Sequence, residues 1–314
     1  MAIKLKILLI TFLTFFALNT QAQQIVFTPK WTAQSQFAGY YVAQEMGFYK
    51  DAGVDVVIEH TSTSDLALNH LLSGKSNAIT MLLFDAIYQI DKGVDIINIL
   101  QTSQHSGHVI VVRDDSIKNI EDLKQKRVGI WSSNFNILAQ LIDLDYKLDI
   151  EWIKFIQSIN LYISGAIDAT MAMTYNEVYW IQSSGFENKK IITMDEIGYD
   201  YPDEGLYITR EYYEKYPDKA RAFADASRKG WEWAHEHPEE TLEIVLKVMQ
   251  KERVPASRKH QEWMLRETLN QQCRNKEKNP NFTLSNEKVE ELNKLLLRHG
   301  RIDKKVDIEQ IQGK

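Results

Sequence analysis

Residues 25–59, IVFTPKWTAQSQFAGYYVAQEMGFYKDAGVDVVIE, carry the pattern that sets the architecture. A β-branched and aromatic run at 25–27 reads as a strand, 36–45 carries apolar residues at helical spacing, and 54–59 reads as a second strand. The pattern continues outward: 64–72 helical, 77–81 strand-like, 83–91 helical, 96–100 strand-like. Alternation at this spacing predicts βαβ units with right-handed crossovers and a mostly parallel sheet. Ser64 with Asp65 marks one helix start, and Asn119 with Asp122 three residues on predicts a capping box.

A second α/β run begins near Arg113. Residues 128–131, 169–173 and 190–193 read as strands, with helical patterns at 134–144 and 176–182 between them. After a last strand at 206–208 the chain reads as helical, over 212–216, 218–235, 238–250, 257–271 and 285–298. Pro217, Pro238 and Pro255 fall at or near helix starts, where a missing N–H costs little. One α/β unit, then another, then a helical tail predicts two lobes, with the tail folding back onto the first.

The chain has 314 residues, 44% hydrophobic, with 37 Lys+Arg against 43 Asp+Glu. That composition belongs to a globular protein with a substantial core and excludes collagen-like and low-complexity classes. A net charge of −6 argues against a nucleic-acid partner. A single cysteine, Cys273, excludes an intramolecular disulfide framework and any multi-cysteine metal site. His105 and His108, like His235 and His237, lack the carboxylate-rich or cysteine-rich context of a metal site, so no metal is expected. At the N-terminus Lys4 and Lys6 precede the apolar run ILLITFLTFFAL, and a polar stretch ends at Ala22. Residues 1–22 therefore read as a cleaved export signal, the apolar run being too short to span a bilayer. No cysteine lies near the cleavage site, so no lipid anchor is expected there and the mature chain is expected free in the periplasm or secreted. Removing Lys4 and Lys6 leaves 35 basic and 43 acidic residues, a net charge of −8.

The stretch 30–56, KWTAQSQFAGYYVAQEMGFYKDAGVDV, resembles the start of extracytoplasmic substrate-binding proteins of ABC importers, in the branch related to pyrimidine-precursor binding proteins and fungal thiamine-pyrimidine synthases. The likeness continues in order through LLSGK (71–75), LKQKRVG (123–129), SGAIDA (164–169), YNE (175–177) and EKYPDKARAF (214–223). The resemblance implies a type II periplasmic binding protein, a Venus-flytrap of two α/β lobes joined by two crossovers, with a helical C-terminal tail. Residues 23–112 plus 208–314 would form lobe I and 113–207 lobe II, with crossovers near 112–114 and 204–207. The protein is expected to be a monomer that closes on a small-molecule ligand and delivers it to an ABC permease in the membrane.

Ligand-binding candidates follow from position in that family and from the chemistry of the residues themselves. Trp31, just after the first strand, offers a face for stacking, with core packing as the alternative. Gln36 and Tyr40 open the first helix, Phe37 and Tyr41 forming its buried face, and Tyr40 is balanced between cleft and core. Asp85 either accepts a hydrogen bond from a ring amine or caps the helix at 83–91. Trp131, Ser132, Ser133 and Asn134 join a strand to a helix and offer backbone N–H groups, hydroxyls and an amide, or simply a cap. That loop has no glycine and carries Trp131, which favours an uncharged ligand over a phosphorylated one. Asn176 and Glu177 open another helix, where Glu177 meets a ligand amine or complements the helix dipole. In HTSTS (60–64) the sequence departs from relatives, where a glycine pair is common.

The related synthases hold pyridoxal phosphate on a Lys, with a His four residues later. Aligned on Ser73-Gly74-Lys75, those positions are Met81 and Asp85, and the cysteine motif expected near 200–204 has no cysteine. A non-enzymatic binder of a small heteroaromatic nutrient, with a thiamine-related pyrimidine first, is therefore expected, without a cofactor. Synthase activity and a ligand-sensing role beside a receptor kinase remain as alternatives.

Overall fold

The computed structural model describes residues 24–61, 65–132, 137–156, 158–186, 190–273 and 280–312. The expected export signal, Ser64, Ser133 and Asn134 lie outside them. Ten strands occur among the described residues: β1 (Ile25–Thr28), β2 (Val56–Ile58), β3 (Ala78–Leu82), β4 (Ile96–Leu100), β5 (His108–Val112), β6 (Arg127–Trp131), β7 (Glu151–Phe155), β8 (Ala169–Met173), β9 (Lys190–Thr193) and β10 (Glu204–Thr209). They form two five-stranded sheets, in the orders β2-β1-β3-β10-β4 and β7-β6-β8-β5-β9.

Each sheet is parallel apart from one inserted strand. β1 runs parallel to β2 and β3, and β10 lies antiparallel between β3 and β4. In the second sheet β6 is parallel to β7 and β8, while β5 is antiparallel to β8 and β9. Central strands such as β3 (AITML) and β5 (HVIVV) are buried at every position, as strands covered on both faces must be.

β5 was not anticipated, and it changes where the chain crosses. HVIVV pairs on both sides within the second sheet, and all of β10 pairs within the first. The crossings therefore fall at 101–107 and 194–203, upstream of the expected 112–114 and 204–207. Asn119 forms the expected capping box, accepting from Asp122 N at 3.1 Å, although the element it opens is a 3-10 turn, Ile120–Leu123. The helix expected from residue 64 begins at Ala67 with no side-chain cap, because its N-cap position falls on Leu66, while the Asp65 carboxylate meets His70 Nε2 at 2.6 Å.

The helix Pro217–Glu236 packs on the helix Ala38–Glu45 at backbone contact distance. A Cβ on Gly230 would sit 2.0 Å from the Gly39 carbonyl oxygen, and one on Gly39 would sit 2.2 Å from the Trp231 ring. Only glycine at both positions allows this approach. It brings Trp231 edge-on to Tyr40 at 5.6 Å, and Tyr40 against Phe27 at 4.7 Å.

The tail is not confined to the first lobe. From the helix Arg258–Gln272, Gln261 Oε1 accepts from Ser35 N at 2.8 Å beside the first sheet, while Trp263 Nε1 donates to Thr174 O at 2.8 Å beyond the second. Past the helix Asn286–Arg298, His299 Nε2 meets Asp145 at 2.7 Å and Lys92 Nζ meets Asp303 at 2.7 Å. The physical reason lies in the packing: Val289, Leu292 and Leu296 share one core with Leu83 and Ile87 of the first lobe and Leu138 and Ile142 of the second. Among the described residues, no helix is long and apolar enough to cross a membrane.

Candidate functional site

The carboxyl ends of β1, β3 and β8 converge between the sheets, the position where open α/β folds bind ligands. A pocket lies there. Lys30, Gln36 and Leu82 line it from the first lobe, and Met173 and Tyr175 from the second. Thr102, Ser103 and Asp203 come from the crossings, Glu204 from the start of β10, and Trp231, Thr268, Gln271 and Gln272 from the tail.

Glu204 is the electrostatic centre. Its Oε2 receives Gln36 Nε2 at 2.6 Å and faces Lys30 Nζ at 3.1 Å, with both charged side chains largely buried. Burial pushes the Glu204 carboxyl above the usual carboxylate range, and the Lys30 ammonium opposes that shift. The backbone of Glu204 is pinned by the first crossing: its N donates to Ser103 Oγ at 2.6 Å and its carbonyl accepts from Thr102 Oγ1 at 2.7 Å. Asp203 takes Gly107 N at 2.6 Å and lies 3.2 Å from His108 Nδ1, while His105 Nδ1 lies 2.8 Å from Asp200. His105 thus ties one crossing to the other, and His108, at the start of β5, ties that strand to the second crossing.

Asp85 stands in the first turn of the helix Leu83–Asp91, which has no side-chain cap. Desolvation pushes its carboxyl up to about 7, against the pull of Lys30 and His108. A carboxyl raised in the folded state binds its proton more tightly there than in the unfolded chain. The stability it contributes is therefore greatest at acid pH and is lost as pH rises from about 4, the unfolded value, through about 7. Asp85→Asn removes that loss, so the gain in melting temperature over wild type should be larger at pH 8 than at pH 5. Equal gains at both pH values would refute the assignment.

The other expected residues fall as follows. Gln36 lines the pocket. Tyr40 is fully buried, its ring in the first-lobe core. Trp31 is half-buried against that core, and its carbonyl accepts from His60 Nδ1 at 2.9 Å. Burial lowers the His60 pKa, so the ring is neutral near pH 7; Nδ1–H donates to Trp31 and Nε2 accepts from the Tyr41 hydroxyl at 2.9 Å. Trp131 donates through Nε1 to Glu177 Oε1 at 3.1 Å, and the same carboxylate accepts from Met173 N at 2.8 Å and Asn176 Nδ2 at 2.9 Å. Glu177, raised by burial, thus holds the end of β6 against the end of β8. Ser132 is exposed, its N donating to Phe155 O at 2.7 Å.

Sequence reasoning missed Lys30, Asp203 and Glu204 and the tail residues. Lys30 directly follows Pro29 at the end of β1, a position that points across the cleft, and that was the one available signal. The pairing of Lys30 with a carboxylate 174 residues away leaves no trace in local pattern.

The NMT1/THI5-like family model matches residues 34–241, taking in every described strand but β1 and the first long tail helix. The chain belongs to the NMT1/THI5-like family. Among relatives, it is 26% identical to a putative binding protein, YtlA, of Bacillus subtilis, over 67% of this chain and 66% of that protein. It is 24% identical to a formylaminopyrimidine-binding protein of Halalkalibacterium halodurans, over 69% of this chain and 68% of that one. The chain thus spans about two thirds of the length of these relatives. The periplasmic aliphatic sulphonate binding protein SsuA of Escherichia coli shares the two-lobed fold, with a TM-score of 0.65 at 15% identity over 92% of this chain and 91% of that one. In this family member the carboxylates Asp203 and Glu204 form one wall of the cleft.

Proposed function

We propose that this protein is the extracytoplasmic solute-binding component of an ABC importer, capturing a small heteroaromatic nutrient, first a thiamine-related pyrimidine, by hinge closure. The observation that carries the ligand class is the charge of the cleft: Glu204 and Asp203 at the pocket with Asp85 beside them, against Lys30. Carboxylates in a partly desolvated pocket favour ring N–H and amino donors and repel an anion such as a sulfonate. The formylaminopyrimidine-binding relative supports the pyrimidine reading. A ligand touching both lobes gains contacts only when they approach, so it stabilises the closed arrangement by its differential affinity. Delivery to a membrane permease, action as a monomer and export through residues 1–22 belong to the same reading.

The non-enzymatic character rests on Met81, whose side chain packs with Ala67, Leu71 and Tyr207 rather than in the pocket. Incubation with pyridoxal phosphate should then give no imine absorbance band.

Thermal-shift and calorimetric titration with a formylaminopyrimidine, riboflavin and an alkanesulfonate test the ligand class. At a hundredfold excess over Kd, a bound ligand adds about 2.7 kcal/mol of stability. Stabilisation by the pyrimidine is the expected result. Stabilisation by the sulfonate alone would overturn the reading.

A further inference from the structure

Of the pocket wall contributed by the tail, Thr268, Gln271 and Gln272 lie beyond the family-matched segment, which ends at residue 241, and Trp231 lies within it. Two polar atoms there are buried without a hydrogen-bond partner among the described residues: Thr268 Oγ1 and Trp231 Nε1. Their side chains are 7% and 1% exposed, and both residues line the pocket. The Tyr40 hydroxyl is likewise buried, with Thr102 and the Trp231 indole as its polar neighbours but no hydrogen bond of good geometry to either. Buried polar atoms are almost always paired, so unsatisfied ones in the lining of one pocket mark a place where something else completes them.

The surrounding groups are already satisfied and fixed. Gln272 Oε1 lies 3.0 Å from His235 Nε2, and Gln271 Nε2 donates to Thr174 Oγ1 at 3.3 Å. Gln271 O accepts from both Gln104 N and His105 N, at 2.8 and 3.1 Å, which locks this turn of helix to the first crossing. Gly107 makes the approach possible: a Cβ there would lie 2.2 Å from Gln271 Nε2. Thr268, one turn earlier, is therefore held in place relative to the cleft.

We propose that the helix Arg258–Gln272 supplies a specificity-determining wall of the cleft, in which Thr268 Oγ1 and Trp231 Nε1, with the Tyr40 hydroxyl behind them, bind a lone-pair acceptor on the ligand. An indole N–H only donates, so the complementary atom is an acceptor such as a ring nitrogen or a carbonyl oxygen. The ligand then carries acceptors on the edge facing the tail and donors on the edge facing Asp203 and Glu204. A site built to bond such an atom strongly rejects an analogue that lacks it, because the donors are then left unpaired.

This inference rests on the reading of the cleft as a solute site, and the experiment separates the two. Formylaminopyrimidine affinity is measured by calorimetry, and the melting temperature without ligand is measured alongside, for wild type, Thr268→Val, Thr268→Ala and Thr268→Ser. The valine variant should bind at least about tenfold more weakly while its ligand-free melting temperature stays level or rises, because an unpaired buried hydroxyl has been removed. The serine variant, which keeps the hydroxyl, should bind within about threefold of wild type. The alanine variant carries the comparison if valine does not fold. Wild-type affinity in the valine and alanine variants overturns the inference and leaves the solute reading standing, as does a parallel fall in affinity and ligand-free stability. Failure of wild type to bind the pyrimidine removes the premise, and the inference with it.

Discussion

Lys30→Met should lower stability by about 3–5 kcal/mol at pH 8, because it strips a buried carboxylate of its cation. Glu204 keeps Gln36 as a hydrogen-bond donor, yet the ammonium 3.1 Å away gives the largest opposition to the rise in its pKa. Without Lys30 the folded-state pKa rises further above the unfolded one. A carboxyl raised in this way costs stability as pH climbs through the interval between the two values, and the cost disappears once acid protonates it. The defect of Lys30→Met should therefore shrink as pH is lowered from 8 to 5 in urea titrations. The double variant Lys30→Met/Glu204→Gln should recover most of the loss. A defect of the same size at pH 5 and 8, unrelieved in the double variant, would show that Lys30 matters through packing of its stem and not through its charge.

Gly230→Ala is the other substitution with a large expected effect. Overpacking inside a core costs roughly 1–3 kcal/mol when neighbouring side chains can give way. Here the new methyl group would meet backbone on the opposing helix: the Gly39 carbonyl oxygen at 2.0 Å and Ala43 N at 2.9 Å. Neither can rotate aside, so the helices must separate and the loss should reach or exceed about 3 kcal/mol. Because Trp231 is the next residue and lines the pocket, ligand affinity should fall too. Urea denaturation and calorimetry on the same sample check both. A loss below about 1 kcal/mol would mean that the two helices are less tightly seated than their backbones indicate.

Much of the fold was legible in periodicity. The helix Leu83–Asp91 and the strands Ala169–Met173 and Lys190–Thr193 fall at the residues that apolar spacing picked out. The crossings were displaced because His108–Val112 owes its strand character to partners on both sides, β8 and β9, more than 55 residues downstream. The site was less legible, for a related reason. Trp131 and Glu177 have the chemistry of ligand groups, and they bind each other across 46 residues. Tyr40 sits on the cleft side of the first helix but is claimed by Phe27 and Trp231. Gln36 was recoverable because its role follows from local position at the start of that helix. The tail contribution was not, since a Thr-Leu-Asn-Gln-Gln run at 268–272 looks like any amphipathic helix until its approach to Gly107 is known.

The tail's grip on both lobes bears on kinetics. Arg298 and His299 hold Asp145 on one side, and Asp303 holds Lys92 on the other, so the sheets cannot swing apart about their two connecting segments without one of these pairs letting go. Several of these charges face water, where added salt weakens them, while the Lys30–Glu204 pair inside is shielded. On the proposed function, the residence time of a captured solute would be governed partly at the outer rim of the molecule, far from the pocket, and ionic strength would act as a throttle on release.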